Sequence, residues 1–218
     1  MRVLAVDTTS PRGSLAVADE SGPLAETCVV TETGHSLWLL PAVDEALRGL
    51  GLAPAEIDLF AVTSGPGSFT GLRVGLGTVQ GLSLASRKPC LGLPTLDVVA
   101  HSVAGASGSI VAILEAFRGE VFWAVYDGDG RLQGERNVGP LAAALACAPA
   151  GSAFAGGAAV AHRDAIEASV AGALFPELGG FLAAPLARMA LGRAQEAGPA
   201  ASLRPLYLRG AGISPSRA

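Results

Sequence analysis

Apolar positions interleave with small or polar ones in three short runs at the head of the chain. Arg2–Asp7, Ser14–Ala18 and Leu24–Thr31 have strand length, and the clusters Thr8-Thr9-Ser10-Pro11-Arg12-Gly13 and Asp19-Glu20-Ser21-Gly22 separate them. Three strands joined by short turns predict an antiparallel meander. The period then changes. Leu37, Leu40, Val43, Leu47 and Leu50 recur at helical spacing, with Ser36 at the N-cap position and Gly49 and Gly51 at the end. Leu39, Ala42 and Ala46 add a second apolar stripe. Leu59–Thr63 reads as a strand, Phe69–Ala85 as a helix, Cys90–Leu93 as a strand and Thr95–Val103 as a short helix. The predicted order is βββαβαβα.

Gly105-Ala106-Ser107-Gly108-Ser109 reads as a linker, and after it the order partly repeats. Ile110–Ala116, Val121–Tyr126 and Leu132–Val138 are predicted strands. Leu141–Cys147 is a short helix, Ser152–Ala155 a strand, and Ala159–Ala168 and Pro185–Ala197 helices. Leu206-Tyr207-Leu208 reads as an extended tail. Two successive units of meander plus alternating helix and strand predict a duplicated α/β fold with lobes at 1–104 and 105–218. Each lobe would be a mixed sheet with flanking helices, the layout of the actin-like (ASKHA, RNase H-like) superfamily. The tail, 203–218, is expected to pack on a partner or on the first lobe.

The helix at 69–85 is the least ordinary element. It carries Gly71, Gly75, Gly77 and Gly81, and each interior glycine costs a helix about 1 kcal/mol against alanine. Close approach of another backbone is the usual compensation. Leu72, Leu76 and Val79 form one stripe, while Val74, Gly81, Leu82 and Ala85 occupy much of the opposite side. A helix apolar on two sides must be covered on two sides. Either it is internal to a three-layer domain, or one side meets another subunit.

Half the residues are hydrophobic and 16% are charged, so a sizeable core is available. The net charge of −4 argues against a stand-alone nucleic-acid binder. Arg204, Arg209 and Arg217 read as a solvated tail. Cys28, Cys90 and Cys147 have no metal or redox spacing and read as free buried thiols in a reducing compartment. The apolar run before Asp7 is too short for a signal peptide. The uncharged run 137–161 contains two prolines and is alanine-rich, so no membrane span is read there. A cytoplasmic location is expected.

The block Ser64-Gly65-Pro66-Gly67-Ser68-Phe69-Thr70-Gly71-Leu72-Arg73-Val74-Gly75 closely resembles the signature of the bacterial TsaB (YeaZ) family. Val3–Thr9, His35–Pro41, Gly119–Ala124 and Arg204–Arg209 resemble further blocks of that family, in the right order. One departure lies at Glu115-Ala116-Phe117-Arg118, where the family often has Asp-Ala-Arg. The resemblance implies a part in making threonylcarbamoyladenosine in tRNA as a non-catalytic subunit. It implies docking on a TsaD-like catalytic paralogue, with a TsaE-like ATPase joining them, TsaC supplying the activated donor, and tRNA met indirectly through the complex. It also favours the intersubunit reading of the glycine helix. Leu37, Leu40, Val43, Leu47, Gly71, Leu72, Gly75, Leu76 and Val79 are then the expected partner or homodimer face.

Candidate chemistry is sparse. Gly67 and Ser68 before a helix could present backbone N–H groups to a phosphate. No Gly-Lys-Ser/Thr follows, and there is no dinucleotide fingerprint, so packing is the competing reading. Asp7 stands where the superfamily places a carboxylate that orients nucleotide-bound metal, and Thr8, Thr9 and Ser14 could face phosphates. Ordinary turn chemistry accounts for the same residues. No intrinsic cofactor is expected, and ATP only within the complex. His35, His101 and His162 are not at metal-binding spacing, and Thr95 and Val99 stand where TsaD-type paralogues carry a histidine pair. His35 is expected to cap a helix or face solvent. No serine lies in a nucleophile elbow, so no catalytic residue is assigned. Two rival classes remain: an actin-like ATPase or small-molecule kinase, which requires ATP binding by the isolated chain, and a metalloprotease-like hydrolase, which requires a stoichiometric metal.

Overall fold

The computed structural model describes residues 1–31 and 34–208; of the expected tail, residues 209–218, with Arg209 and Arg217, lie outside the described residues. The meander forms as β1 (Val3–Asp7), β2 (Arg12–Asp19) and β3 (Gly22–Val30), all antiparallel. β4 (Leu59–Gly65) and β5 (Cys90–Pro94) add in parallel on the other side of β1, giving the order β3-β2-β1-β4-β5. A second sheet repeats the plan with one strand fewer. Its strands are β6 (Ser109–Glu115), β7 (Glu120–Asp127), β8 (Leu132–Pro140) and β9 (Ala153–Ala155), in the order β8-β7-β6-β9. The fold is a duplicated, two-lobed α/β fold of the actin-like class.

β1 is buried on both faces, which is why Val3–Val6 reads as an unbroken apolar run. Its even-numbered side, with Leu15, Val17, Phe60 and Val62, packs under α1 (Leu39–Gly49) and α2 (Phe69–Ser86). Its odd-numbered side, with Leu59, Ala61 and Leu93, meets α3 (Thr95–Ser102) and α7 (Ala183–Gly192). Those two helices form the middle layer, because the same cluster continues into Ile110, Ala112, Ala124 and Tyr126 of the second sheet. The far face of that sheet is closed by α4 (Leu141–Cys147), α5 (Gly157–Ala161) and α6 (Arg163–Ser169) over Val111, Ile113, Trp123 and Phe154. A buried polar tie joins the lobes. Asp97 on α3 accepts from Arg136 Nε and Nη2 at 2.8 and 2.6 Å, and from Tyr126 Oη at 2.7 Å. Burial, and after it the adjacent Asp97 carboxylate, push the Tyr126 hydroxyl far above its ordinary pKa.

Several expectations are corrected. Residue 104 divides the two sheets, but the chain does not stay in a second lobe: α7 lies on β1 and β2, and Ala200 joins the first-lobe core. α1 begins at Leu39 rather than after Ser36, because His35 and Trp38 are tied to each other and to the β1–β2 turn. The single helix expected at 159–168 breaks at His162 into α5 and α6. α7 stops at Gly192, and a separate 3-10 turn covers Ala194–Glu196. Of the three thiols only Cys90 is buried; Cys28 and Cys147 are exposed.

Candidate functional site

Two places carry the residues singled out above: the carboxyl end of β1, and the outer side of α1 and α2. At the first, Asp7 Oδ1 accepts from Thr63 Oγ1 at 2.6 Å, Thr9 Oγ1 at 2.7 Å and Thr9 N at 3.1 Å. Its Oδ2 is buried with no hydrogen-bond partner among the described residues, as is Thr95 Oγ1. Burial raises the Asp7 pKa, and the bonds from Thr63 and Thr9 oppose that rise.

The neighbouring groups are already in use. Thr8 Oγ1 donates to Gly71 O at 2.8 Å, and Ser68 N donates to Thr9 O at 2.7 Å. Ser68 Oγ caps α2 by accepting from Gly71 N at 3.2 Å. Ser14 Oγ accepts from Leu182 N and Ala183 N at 3.2 and 3.0 Å, so the β1–β2 hairpin caps α7. Arg12 lies over the Phe181 ring, 5.7 Å from its centroid. The glycines serve the same closure. A Cβ on Gly67 would stand 2.5 Å from Thr9 O, one on Gly71 would overlap the Thr8 carbonyl, and one on Gly75 would overlap Thr8 Oγ1. The Gly-Pro-Gly turn and α2 are thus pressed backbone to backbone against Thr8 and Thr9. A phosphate needs free N–H and hydroxyl donors. Here Thr8 Oγ1, Thr9 N, Thr9 Oγ1 and Ser68 N donate within the chain, Ser14 Oγ and Ser68 Oγ accept from α7 and α2, and Gly67 is packed against Thr9, so the end of β1 is closed by its own chain.

At the second place the expected partner residues separate. Leu37 and Leu40 are exposed, at 77% and 56%. Val43, Leu47, Leu72, Leu76 and Val79 are instead buried in this chain's own core, and Gly71 and Gly75 face Thr8. These seven are corrected: they pack α1 and α2 onto the sheet and offer no surface. The outer side of α2 is made by other residues. Gly77 and Gly81 have nothing within 4 Å of an added Cβ, and Leu84 is 69% exposed. The expected partner face took in Gly71 and Gly75 but not Gly77 and Gly81, and the two-residue offset from Gly75 to Gly77 turns a helical side chain to the opposite side.

His35, expected at a cap or in solvent, is buried. Its Nε2 lies 2.9 Å from Ser10 O and its Nδ1 accepts from Trp38 Nε1 at 3.1 Å, an arrangement that places the ring proton on Nε2. Gly13 is small because that ring pair fills the space beside it. Among the described residues no three His, Cys, Asp or Glu side chains converge as metal ligands, and no helix is long and apolar enough to cross a membrane.

The two-sheet architecture and the packed turn at β1 define a member of the actin-like class. A family model described as "TsaD: tRNA N6-adenosine threonylcarbamoyltransferase" matches residues 29–146. The tRNA threonylcarbamoyladenosine biosynthesis protein TsaB of Escherichia coli is 35% identical over 131 residues, 59% of this chain and 56% of that protein. The Bacillus subtilis TsaB is 30% identical over 126 residues, 58% and 55% respectively, so the matches span about half the length of these curated relatives. An uncharacterised protein of Mycobacterium tuberculosis is 31% identical over 209 residues, 95% of this chain and 91% of that one. Among solved structures, YeaZ from Pseudomonas aeruginosa superposes with a TM-score of 0.78 at 29% identity, over 95% of this chain and 99% of that one. The chain belongs to the TsaB (YeaZ) family.

Proposed function

We propose that this chain is a non-catalytic subunit in the biosynthesis of threonylcarbamoyladenosine in tRNA, and that it binds and activates a TsaD-like catalytic paralogue. Family membership supports the process. The observation that supports the non-catalytic role is the closed end of β1, where Thr8, Thr9, Ser14, Gly67 and Ser68 are bonded to or packed against this chain's own backbone. An ATPase or kinase would hold such groups ready for phosphate. The docking face in this reading is the outer side of α1 and α2: Leu37, Leu40, Gly77, Gly81 and Leu84. Exposed leucines beside uncovered glycines favour close helix-on-helix contact, in a heterodimer or, without the paralogue, a homodimer. A TsaE-like ATPase and ATP enter only with the assembled complex. The work is cytoplasmic in this reading.

The test pairs purified chain with the TsaD-type paralogue encoded in the same genome. Sedimentation should show a complex, and threonylcarbamoyl transfer should require both proteins. The chain alone should neither hydrolyse ATP nor transfer the group. Turnover by the chain alone that Asp7→Ala abolishes would replace this reading with the kinase-like one.

A further inference from the structure

The net charge of −4 conceals a segregation. Residues 59–96 hold Arg73, Arg87 and Lys88 and no Asp or Glu, and residues 197–218 hold Arg204, Arg209 and Arg217 and no Asp or Glu. Six of the fifteen Lys and Arg residues, and none of the nineteen Asp and Glu, fall in these two segments. The fold lays residues 197–208 of the second segment beside the first. Leu206 N donates to Ser64 O at 2.7 Å, Gln80 Nε2 to Ala200 O and Leu203 O at 3.3 and 3.4 Å, and Cys90 and Gly198 exchange backbone bonds at 2.9 and 3.0 Å. The tail runs along the flank of α2 nearest β5, whereas α1 covers β2 and β3 on the other side.

Phe69, Arg73 and Gln80 fall on one stripe of α2 facing that tail, and Arg87 is the left-handed cap at the end of α2, which lies about 20 Å from Arg73 along the axis. Arg73, Arg87 and Arg204 are exposed and have no carboxylate partner among the described residues; Lys88 is 3.6 Å from Asp58. Arg73 lies over the Phe69 ring at 3.9 Å, and the Phe69 and Tyr207 rings are 5.7 Å apart and tilted by 31°. Both rings are partly exposed, at 42% and 37%. The stripe ends in an open cleft of about 520 Å³ lined by Leu84, Arg87, Lys88 and Ala197–Ala200.

We infer that this α2–tail surface binds RNA directly. Arginines without acidic partners supply the phosphate attraction, and exposed rings beside an arginine supply a stacking platform for unpaired bases. An acidic protein segment would use the cations and leave the rings without purpose. The choice of RNA among polyanions rests on the function proposed above, in which the route to tRNA was indirect; here the chain touches it.

The full-length chain is titrated by fluorescence anisotropy against a labelled, short single-stranded RNA of mixed sequence. Three phosphate contacts should weaken binding roughly 20-fold between about 50 and about 200 mM salt. Tyr207→Ala should weaken it roughly 5- to 150-fold, the value of one stacked base. The triple reversal of Arg73, Arg87 and Arg204 to Glu should abolish it. Arg131→Glu, on the far β7–β8 turn, should leave it unchanged. If the triple reversal melts early, Arg73→Gln with Arg204→Gln takes its place. No binding at low salt, or full binding by the charge variants, overturns the inference. So does loss with the charge variants alone, if Tyr207→Ala has no effect and polyglutamate competes as well as RNA; the surface is then one for acidic protein. Pairing with the catalytic paralogue is measured on the same samples. Failure of the wild type to pair counts against the proposed function and leaves the RNA result standing.

Discussion

Gly71 and Gly75 differ from Gly77 and Gly81 in what lies over them. The first pair faces the end of β1, where an added Cβ would run into the Thr8 carbonyl or hydroxyl. The second pair faces outward, where an added Cβ meets nothing within 4 Å. Both pairs have the same composition and the same four-residue spacing, and both lie in one helix. The inner pair lets α2 sit on Thr8 and Thr9, and its cost in helix propensity is offset by packing. The outer pair has no such offset within the chain, so its roughly 1 kcal/mol per residue is unreturned until another surface arrives. The comparison teaches that glycine spacing alone does not say which neighbour a helix approaches.

Substitutions test that contrast in descending order of effect. Gly71→Ala should cost most, at or above the top of the about 1–3 kcal/mol range for overpacking, because the clash is with backbone that cannot rotate away. Chemical denaturation of the isolated chain measures it. Gly75→Ala should cost less, about 1–2 kcal/mol, because Thr8 Oγ1 can turn aside at the expense of its 2.8 Å bond to Gly71 O. A Gly75→Ala variant as stable as wild type would break the inner half of the comparison.

Asp7→Asn probes the same packed end by pH. Burial raises the carboxyl's folded pKa, so the native state holds its proton at pH values where the unfolded chain has released it. Wild-type stability should therefore fall as pH rises from about 4 through the folded pKa. Asp7→Asn lacks this loss, and its stability relative to wild type should improve over that rise. A gap that stays flat with pH would mean that Asp7 is solvated as an ordinary carboxylate. At the small end, Gly77→Ala should stabilise the isolated chain by about 0.4–1 kcal/mol, since its site is open and helical.

Much of this fold is legible in the sequence. The meander, the parallel strands and the second sheet follow from period and turn chemistry, and the family blocks fix the superfamily. The reach of α7 and Ala200 back into the first lobe is not legible, because long-range packing leaves no local period. The buried His35–Trp38 pair is likewise invisible, since its cause is the space beside Gly13. At the candidate site, position at a strand end singles out Asp7, Thr8, Thr9 and Ser14, but which groups they bond depends on α7 and α2 arriving from distant sequence. Leu37 and Leu40 are apolar and exposed. Their neighbours Val43 and Leu47 share the same spacing, and only the sheet beneath decides which of them are covered.

The most direct measurement is made on the double variant Gly77→Leu with Gly81→Leu, by thermal melting alone and by sedimentation with the TsaD-type paralogue. The account predicts a melting temperature equal to or above wild type and an association weakened roughly 5- to 150-fold, the effect of about 1–3 kcal/mol of overpacking at a close helix contact. Full-strength association by a stably folded double variant would contradict it.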